Sequence, residues 1–163
     1  MTGIEHLVAT RGLALTRFAY LLCGDRRLAE DLVQSALERT FLRWESTGSP
    51  DRPEAYVRQV IVREHLSRRR RRSSTEVVVA DPPERATADE PAAADERDRV
   101  WRQLTRLAPR QRAVLVLRYY EDLDDAAIAA VLGWPAGTVR STASRALAVL
   151  RADPVLSRGI SHD

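Results

Sequence analysis

The stretch Asp124-Asp125-Ala126-Ala127-Ile128-Ala129-Ala130-Val131-Leu132-Gly133-Trp134-Pro135-Ala136-Gly137-Thr138-Val139-Arg140-Ser141-Thr142-Ala143-Ser144-Arg145-Ala146-Leu147 holds two helical patterns separated by a turn. Asp124 stands where an N-cap belongs, ahead of a short apolar helix over 125–132. Gly133 suits the stop that follows it. Pro135 to Thr138 lead into a longer helix that turns Val139, Ala143, Leu147 and Leu150 inward. Two helices joined by a short glycine-containing turn describe a helix-turn-helix, with small Ala129 permitting close approach and Val139 packing between the helices. The residues expected outward on the second helix are Arg140, Ser141, Thr142, Ser144 and Arg145, donors and acceptors of a length that reaches base edges and phosphates. No acid lies between Trp134 and Ala152, so nothing on this helix repels a phosphate. A helical hairpin with a polar face is the plain alternative. Spacing, turn chemistry and charge agree on DNA.

Upstream of this motif, Val100, Trp101, Leu104 and Leu107 open one helix and Ala108-Pro109 starts the next, whose buried side is read as Ala113, Val114, Leu117 and Tyr120. The N-terminal part is also helical in period. Ile4, Leu7, Val8, Leu15, Phe18, Ala19 and Leu22 define one apolar face. Gly24 breaks the pattern and Asp25 is placed to cap a second helix that buries Leu28, Leu32, Val33, Ala36, Leu37 and Trp44. The other side of that helix shows Glu30, Asp31, Gln34 and Glu38, a stripe whose plain reading is a solvated face. A loop over 46–51 carries Gly48 and Pro50, and Pro53 suits the first turn of a third helix with Tyr56, Val57, Val60 and Ile61 as its apolar face. The β-branched run Val60-Ile61-Val62 favours a strand locally, but a strand there would have no sheet to join, so the segment is read as helix.

Charge is unevenly spread. The chain has 163 residues and a formal net charge of +3, with 26 basic residues, all arginine, against 23 acids. Residues 52–72 carry eight arginines and two acids, including five arginines in succession from Arg68 to Arg72. Residues 73–98 carry two arginines and eight acids, with Pro82, Pro83 and Pro91 and no aromatic residue. The acidic block reads as an extended linker, with Val77-Val78-Val79 a candidate short strand that has no evident partner. The basic helix end fits phosphate binding, a solvated end, or an internal association with the acidic linker beside it.

Other classes fall away. The single cysteine, Cys23, makes neither an internal disulfide nor a zinc pair, and His6, His65 and His162 are scattered, so no metal or cofactor site is expected. No apolar run approaches the ~18 residues of a membrane span. No basic stretch followed by an apolar core opens the chain, so no signal peptide is expected and a cytoplasmic location is.

The two halves together resemble an extracytoplasmic-function sigma factor of the actinobacterial kind. Leu28-Ala29-Glu30-Asp31-Leu32-Val33-Gln34 resembles the family's core-polymerase-binding helix, and Leu107-Ala108-Pro109-Arg110-Gln111-Arg112 the start of its promoter-distal domain. Ile128 to Gly133, Gly137 to Ser141 and Arg145-Ala146 are similar to its helix-turn-helix signature. The resemblance implies an all-α protein of two small helical domains. A region-two domain spans 1–72, a flexible acidic linker 73–98, a region-four domain 99–155 and a tail 156–163. No further C-terminal regulatory domain is expected.

The resemblance also implies roles. Glu30, Asp31, Gln34 and Glu38 would grip core RNA polymerase, which turns the polar stripe into a partner surface. Ser46, Gly48, Ser49, Arg52, Tyr56, Arg58, Arg63, Arg68 and Arg69 would bind the minus-ten element, the loop capturing a flipped base of the nontemplate strand. Arg118, Thr138, Arg140, Ser141, Thr142, Ser144 and Arg145 would bind the minus-thirty-five element. The linker would thread the polymerase interior toward the RNA exit path. The protein would act without catalysis, as a monomer when free and nucleoid-associated when in holoenzyme, and an anti-sigma factor is a common further partner in the family. Family members often carry Asn at the position of Arg63, an aromatic near Arg68 or Arg69, and Ser or Thr at that of Asp124. The competing readings are a stand-alone helix-turn-helix regulator, which leaves the first half unexplained, and a nucleic-acid enzyme, for which no nucleophile–base pair is present.

Overall fold

A computed structural model describes residues 3–75 and 99–152. The chain divides into two compact units, Met1–Ala86 and Thr87–Asp163. Among the described residues all regular structure is helical.

The first unit is three helices packed on one another: α1 (Gly3–Cys23), α2 (Arg26–Thr47) and α3 (Pro53–Thr75). The break between α1 and α2 falls at Gly24, and Asp25 caps α2 by accepting from the backbone N–H groups of Arg27 and Leu28 at 2.9 and 3.2 Å. Leu15, Phe18 and Leu22 of α1, Leu32 of α2 and Val57, Ile61 and Val62 of α3 fill the core. Burying each such side chain is worth roughly 1.5–3 kcal/mol. That exceeds the ~0.5 kcal/mol a β-branched residue costs in a helix, so Ile61 and Val62 stay helical against their local preference. Val8 belongs to the apolar face in sequence but stands exposed, and Leu28, Leu37 and Trp44 are only half-buried. The third helix runs three residues past Arg72, into the span read as linker.

The second unit begins with helical residues 99–104 (α4) and continues through α5 (Pro109–Leu115), a π-helical turn (Val116–Tyr120), α6 (Asp125–Leu132) and α7 (Ala136–Arg151). Pro109 opens α5 as expected, and the side-chain oxygen of Gln111 accepts the Ala108 N–H at 3.2 Å. Asp124 caps α6 by accepting from Ala127 N at 2.8 Å. Gly133 ends α6 at φ 70°, the left-handed region that glycine enters without a Cβ penalty. Both α5 and α6 pack on α7, where small Ala143 and Ala146 let the backbones approach.

Two arginines act as struts in this unit. Arg112 is buried, donates to the carbonyls of Leu104 and Leu107 at 3.0 and 3.2 Å, and lies over the Trp101 ring with 4.9 Å to the centroid. It thereby adds a donor at the end of α4, where Leu104 O also accepts from the Leu107 N–H at 3.1 Å. Arg106 does the same for α7, donating to Val149 O at 3.2 Å.

Tyr120 corrects its sequence reading. It was expected on the buried side of α5 but is 45% exposed, beside Tyr119 at 64%. The π-helical turn over Val116–Tyr120 has more residues per turn than an α-helix, so by its end Tyr120 no longer falls on the side set by Ala113 and Val114. Val100 is also exposed. The candidate strand over 77–79, nearly all of the acidic linker and the tail lie outside the described residues.

Candidate nucleic-acid and partner interfaces

The outer face of α7 is built by helical arithmetic. Val139, Thr142, Ala143 and Ala146 face the core, which leaves Arg140, Ser144 and Arg145 exposed and Thr138 and Ser141 half-buried at the margin. The Ser141 hydroxyl donates to Thr138 O at 3.1 Å. Thr142 is a correction: it was read as outward, but only 7% of it is exposed. Two residues beyond Arg140 is about 200° around a helix, on the side of the core. Arg118 differs in another way. It is hydrogen-bonded and ion-paired to the Asp125 carboxylate, with both side chains half-buried. At the head of the motif, the Arg110 guanidinium lies 4.2 Å from the Trp134 ring centroid, which ties α5 to the turn between the two motif helices.

In the first unit, Glu30, Asp31, Gln34 and Glu38 are all exposed along one face of α2. Gln34 donates to Glu38 at 3.4 Å, and Arg26 pairs loosely with Glu30 at 3.5 Å. The same face continues through Phe41 and Leu42, 39% and 65% exposed. Sequence reading passed these two over. The helical spacing from Asp31 and Glu38 to them was the signal available.

The loop after α2 is held by its own hydroxyls. Ser46 and Thr47 both donate to Arg43 O, at 3.1 and 2.9 Å, and the Gly48 N–H reaches Trp44 O at 3.0 Å with Gly48 at φ 86°. Ser49 donates to Pro50 O at 3.2 Å, and Arg52 is exposed beyond it. The Tyr56 ring is half-buried under Arg43, whose guanidinium carbon is 4.7 Å from its centroid.

The cations of α3 are not equivalent. Arg58 is half-buried and donates to Glu54 at 3.0 Å, and Glu54 also takes Arg11 of α1 at 2.9 Å. Glu64 binds Arg68 at 3.0 Å, Arg39 of α2 at 3.1 Å and Arg71 at 3.8 Å. Burial pushes the Glu64 pKa up, but the hydrogen bond from Arg68 and the charges of Arg39, Arg68 and Arg71 outweigh it and hold the carboxyl below its ordinary value. Arg63, Arg69 and Arg72 are exposed. Arg68, Arg69 and Arg72 border a shallow groove floored by Leu28, Leu32 and His65. Among the described residues no group of His, Cys, Asp or Glu could hold a metal ion, and no helix is long and apolar enough to cross a membrane.

Two helical units, one of them a helix-turn-helix with a cationic outer face, define a class of transcription proteins that bind DNA through the second helix of that motif. Comparison with known proteins makes the assignment. Residues 7–75 match the family described as sigma-70 region 2, and residues 97–150 match sigma-70, region 4. The RNA polymerase sigma-E factor of Streptomyces coelicolor is 40% identical over 151 residues, spanning 93% of this chain and 85% of that protein. The ECF RNA polymerase sigma factor SigL of Mycobacterium tuberculosis is 35% identical over 142 residues, spanning 84% and 80%. The sigma factor RpoE of Bartonella quintana, solved with the anti-sigma factor NepR, shares the fold at a TM-score of 0.64 and 24% identity, over 90% of this chain and 93% of that one. The chain belongs to the extracytoplasmic-function sigma factors, and it is a sigma factor that directs promoter-specific transcription.

Proposed function

We propose that the acidic face of α2 binds core RNA polymerase and that the two cationic surfaces read promoter DNA. Glu30, Asp31, Gln34 and Glu38 form the polymerase-binding face. Arg140, Ser144 and Arg145, with Thr138 and Ser141 at the margin, read the minus-thirty-five element in the major groove. The loop from Ser46 to Arg52, with Tyr56, Arg63 and Arg69, takes the minus-ten element, Arg68 supports them through its bond to Glu64, and the ring of Tyr56 offers a stacking surface for a base removed from the duplex. Arg58, Arg118 and Thr142 support these surfaces from within. The domain division follows the same scheme, with 1–72 and 99–155 joined by the acidic 73–98. The protein acts in the cytoplasm, has no catalytic activity of its own, is a monomer when free, and is held inactive by an anti-sigma partner that covers the polymerase-binding face. The likeness to a sigma factor solved with its anti-sigma factor supports that last point.

The observation that carries this reading is the opposed charge of two exposed helix faces in one chain: acids along α2, arginines without acids along α7. Run-off transcription on a genomic template library with core polymerase tests it. Promoter-dependent products that require the chain are expected. Their absence, together with tight operator binding by the chain alone, would favour the stand-alone regulator instead.

A further inference from the structure

Arg68 to Arg72 read in sequence as one block of five cations, yet a single carboxylate organises it. Glu64 precedes Arg68 by one helical turn and Arg71 by two, so all three share a face of α3. Only 12% of the Glu64 side chain is exposed, against 34% for Arg68 and 67% for Arg71. It receives a third cation, Arg39, from across the α2–α3 contact. An arginine that left Glu64 for a DNA phosphate would strip charge-assisted hydrogen bonding from a largely buried carboxylate, and a buried charge that loses its partners is costly. Glu64 also places a negative charge beneath the tract, where it opposes an approaching phosphate. Arg69 and Arg72, on the neighbouring face, are exposed.

We propose that Glu64 is a specificity-determining residue that limits how many arginines of the tract contact phosphate. By holding Arg68 and Arg71 it caps the sequence-independent affinity of the first unit for DNA, so that productive binding depends on base contacts and on the polymerase. The proposal rests on the DNA-binding reading of the tract given above. It assigns Arg68 a place in the Glu64 cluster in the free protein rather than on the DNA backbone.

The test is the salt dependence of binding by the full chain to a short fluorescein-labelled duplex of scrambled sequence, read by anisotropy. Each phosphate contact adds about 0.9 to the slope of log affinity against log salt. Glu64→Gln is expected to tighten binding and steepen the slope by about 0.9–1.8, the equivalent of one to two contacts. The double variant Arg68→Gln/Arg71→Gln is expected to leave the slope of the native chain nearly unchanged and to remove the gain in the Glu64→Gln background. This native-background arm holds even where Glu64→Gln fails to fold. A drop of about 1.8 when Arg68 and Arg71 are removed from the native chain would overturn the proposal, as would an unchanged slope in a folded Glu64→Gln protein. Replacing Arg69 and Arg72 separates the readings: a lower slope there upholds the tract as a DNA surface whatever Glu64 does. An unchanged slope when all five arginines are replaced removes both.

Discussion

Arg118, on the π-helical turn, donates to the carboxylate of Asp125 in the first turn of α6, so a cation expected on DNA is committed inside its own domain. The pair links the end of α5 to the helix-turn-helix. Removing Arg118 is therefore expected to act through the fold. Arg118→Ala should lower the stability of the second unit by roughly 0.2–1 kcal/mol, the range for partly exposed pairs. It should leave discrimination among promoter bases unchanged, measured by competition binding of holoenzyme to single-base variants.

Arg140 is the contrasting case. It is exposed on the outer face of α7 with no acid on the helix. Arg140→Ala should cost roughly 1–3 kcal/mol and relax discrimination at one promoter position, with thermal stability unaltered. An equal loss on every sequence would demote it to a phosphate contact. Thr142, two residues on, should show the reverse pattern. Thr142→Glu should unfold the second unit by burying a charge, while Thr142→Val keeps DNA binding intact.

The polymerase face invites a test that spares the fold. Asp31 and Gln34 are exposed and bear none of the core. Asp31→Ala with Gln34→Ala should weaken assembly with core polymerase, measured by co-elution, and leave the circular dichroism spectrum and melting temperature unchanged. Wild-type affinity in that variant would count against the assigned face.

Glu64 also gives the stability of the first unit a pH dependence. Its folded-state pKa lies below the ordinary value of 4.5, so the unfolded chain takes up the proton first as pH falls. The stabilisation is full above the unfolded value and is lost as pH drops through the folded one. Thermal melts between neutral and strongly acidic pH should show this loss, and Glu64→Gln should reduce it while lowering stability at neutral pH.

A cap prediction concerns the two aspartates. Asp124→Ala and Asp25→Ala should each cost about 1 kcal/mol, since each leaves helix N–H groups without their acceptor. Asp124→Asn should retain most of the stability, because an amide oxygen accepts the same bond.

These caps mark what the sequence by itself determined. Asp25, Pro53, Pro109, Asp124 and Gly133 act on backbone within one turn of themselves, so helix ends were legible wherever a residue's own chemistry sets them. The periods of Leu15, Phe18 and Leu22 and of Val139 and Ala143 likewise named the buried faces, although on α7 the fully buried third position is Ala146, and Leu147 and Leu150, expected inward, are half-buried. The burial of Thr142 follows from the same helical count, since two residues beyond Arg140 lies on the core side of α7. Other features belonged to the tertiary structure. The fate of each arginine depends on which carboxylate folding brings within reach: Glu54 joins Arg11 and Arg58 across α1 and α3, Glu64 draws Arg39 from α2, and Asp125 takes Arg118. Composition counts these charges but does not pair them: Arg11–Glu54 and Arg39–Glu64 each join two helices that only folding brings together, and Arg118–Asp125 joins the π-helical turn to α6. Tyr120 turned outward for a related reason, since the π-helical turn has shifted the phase by its end.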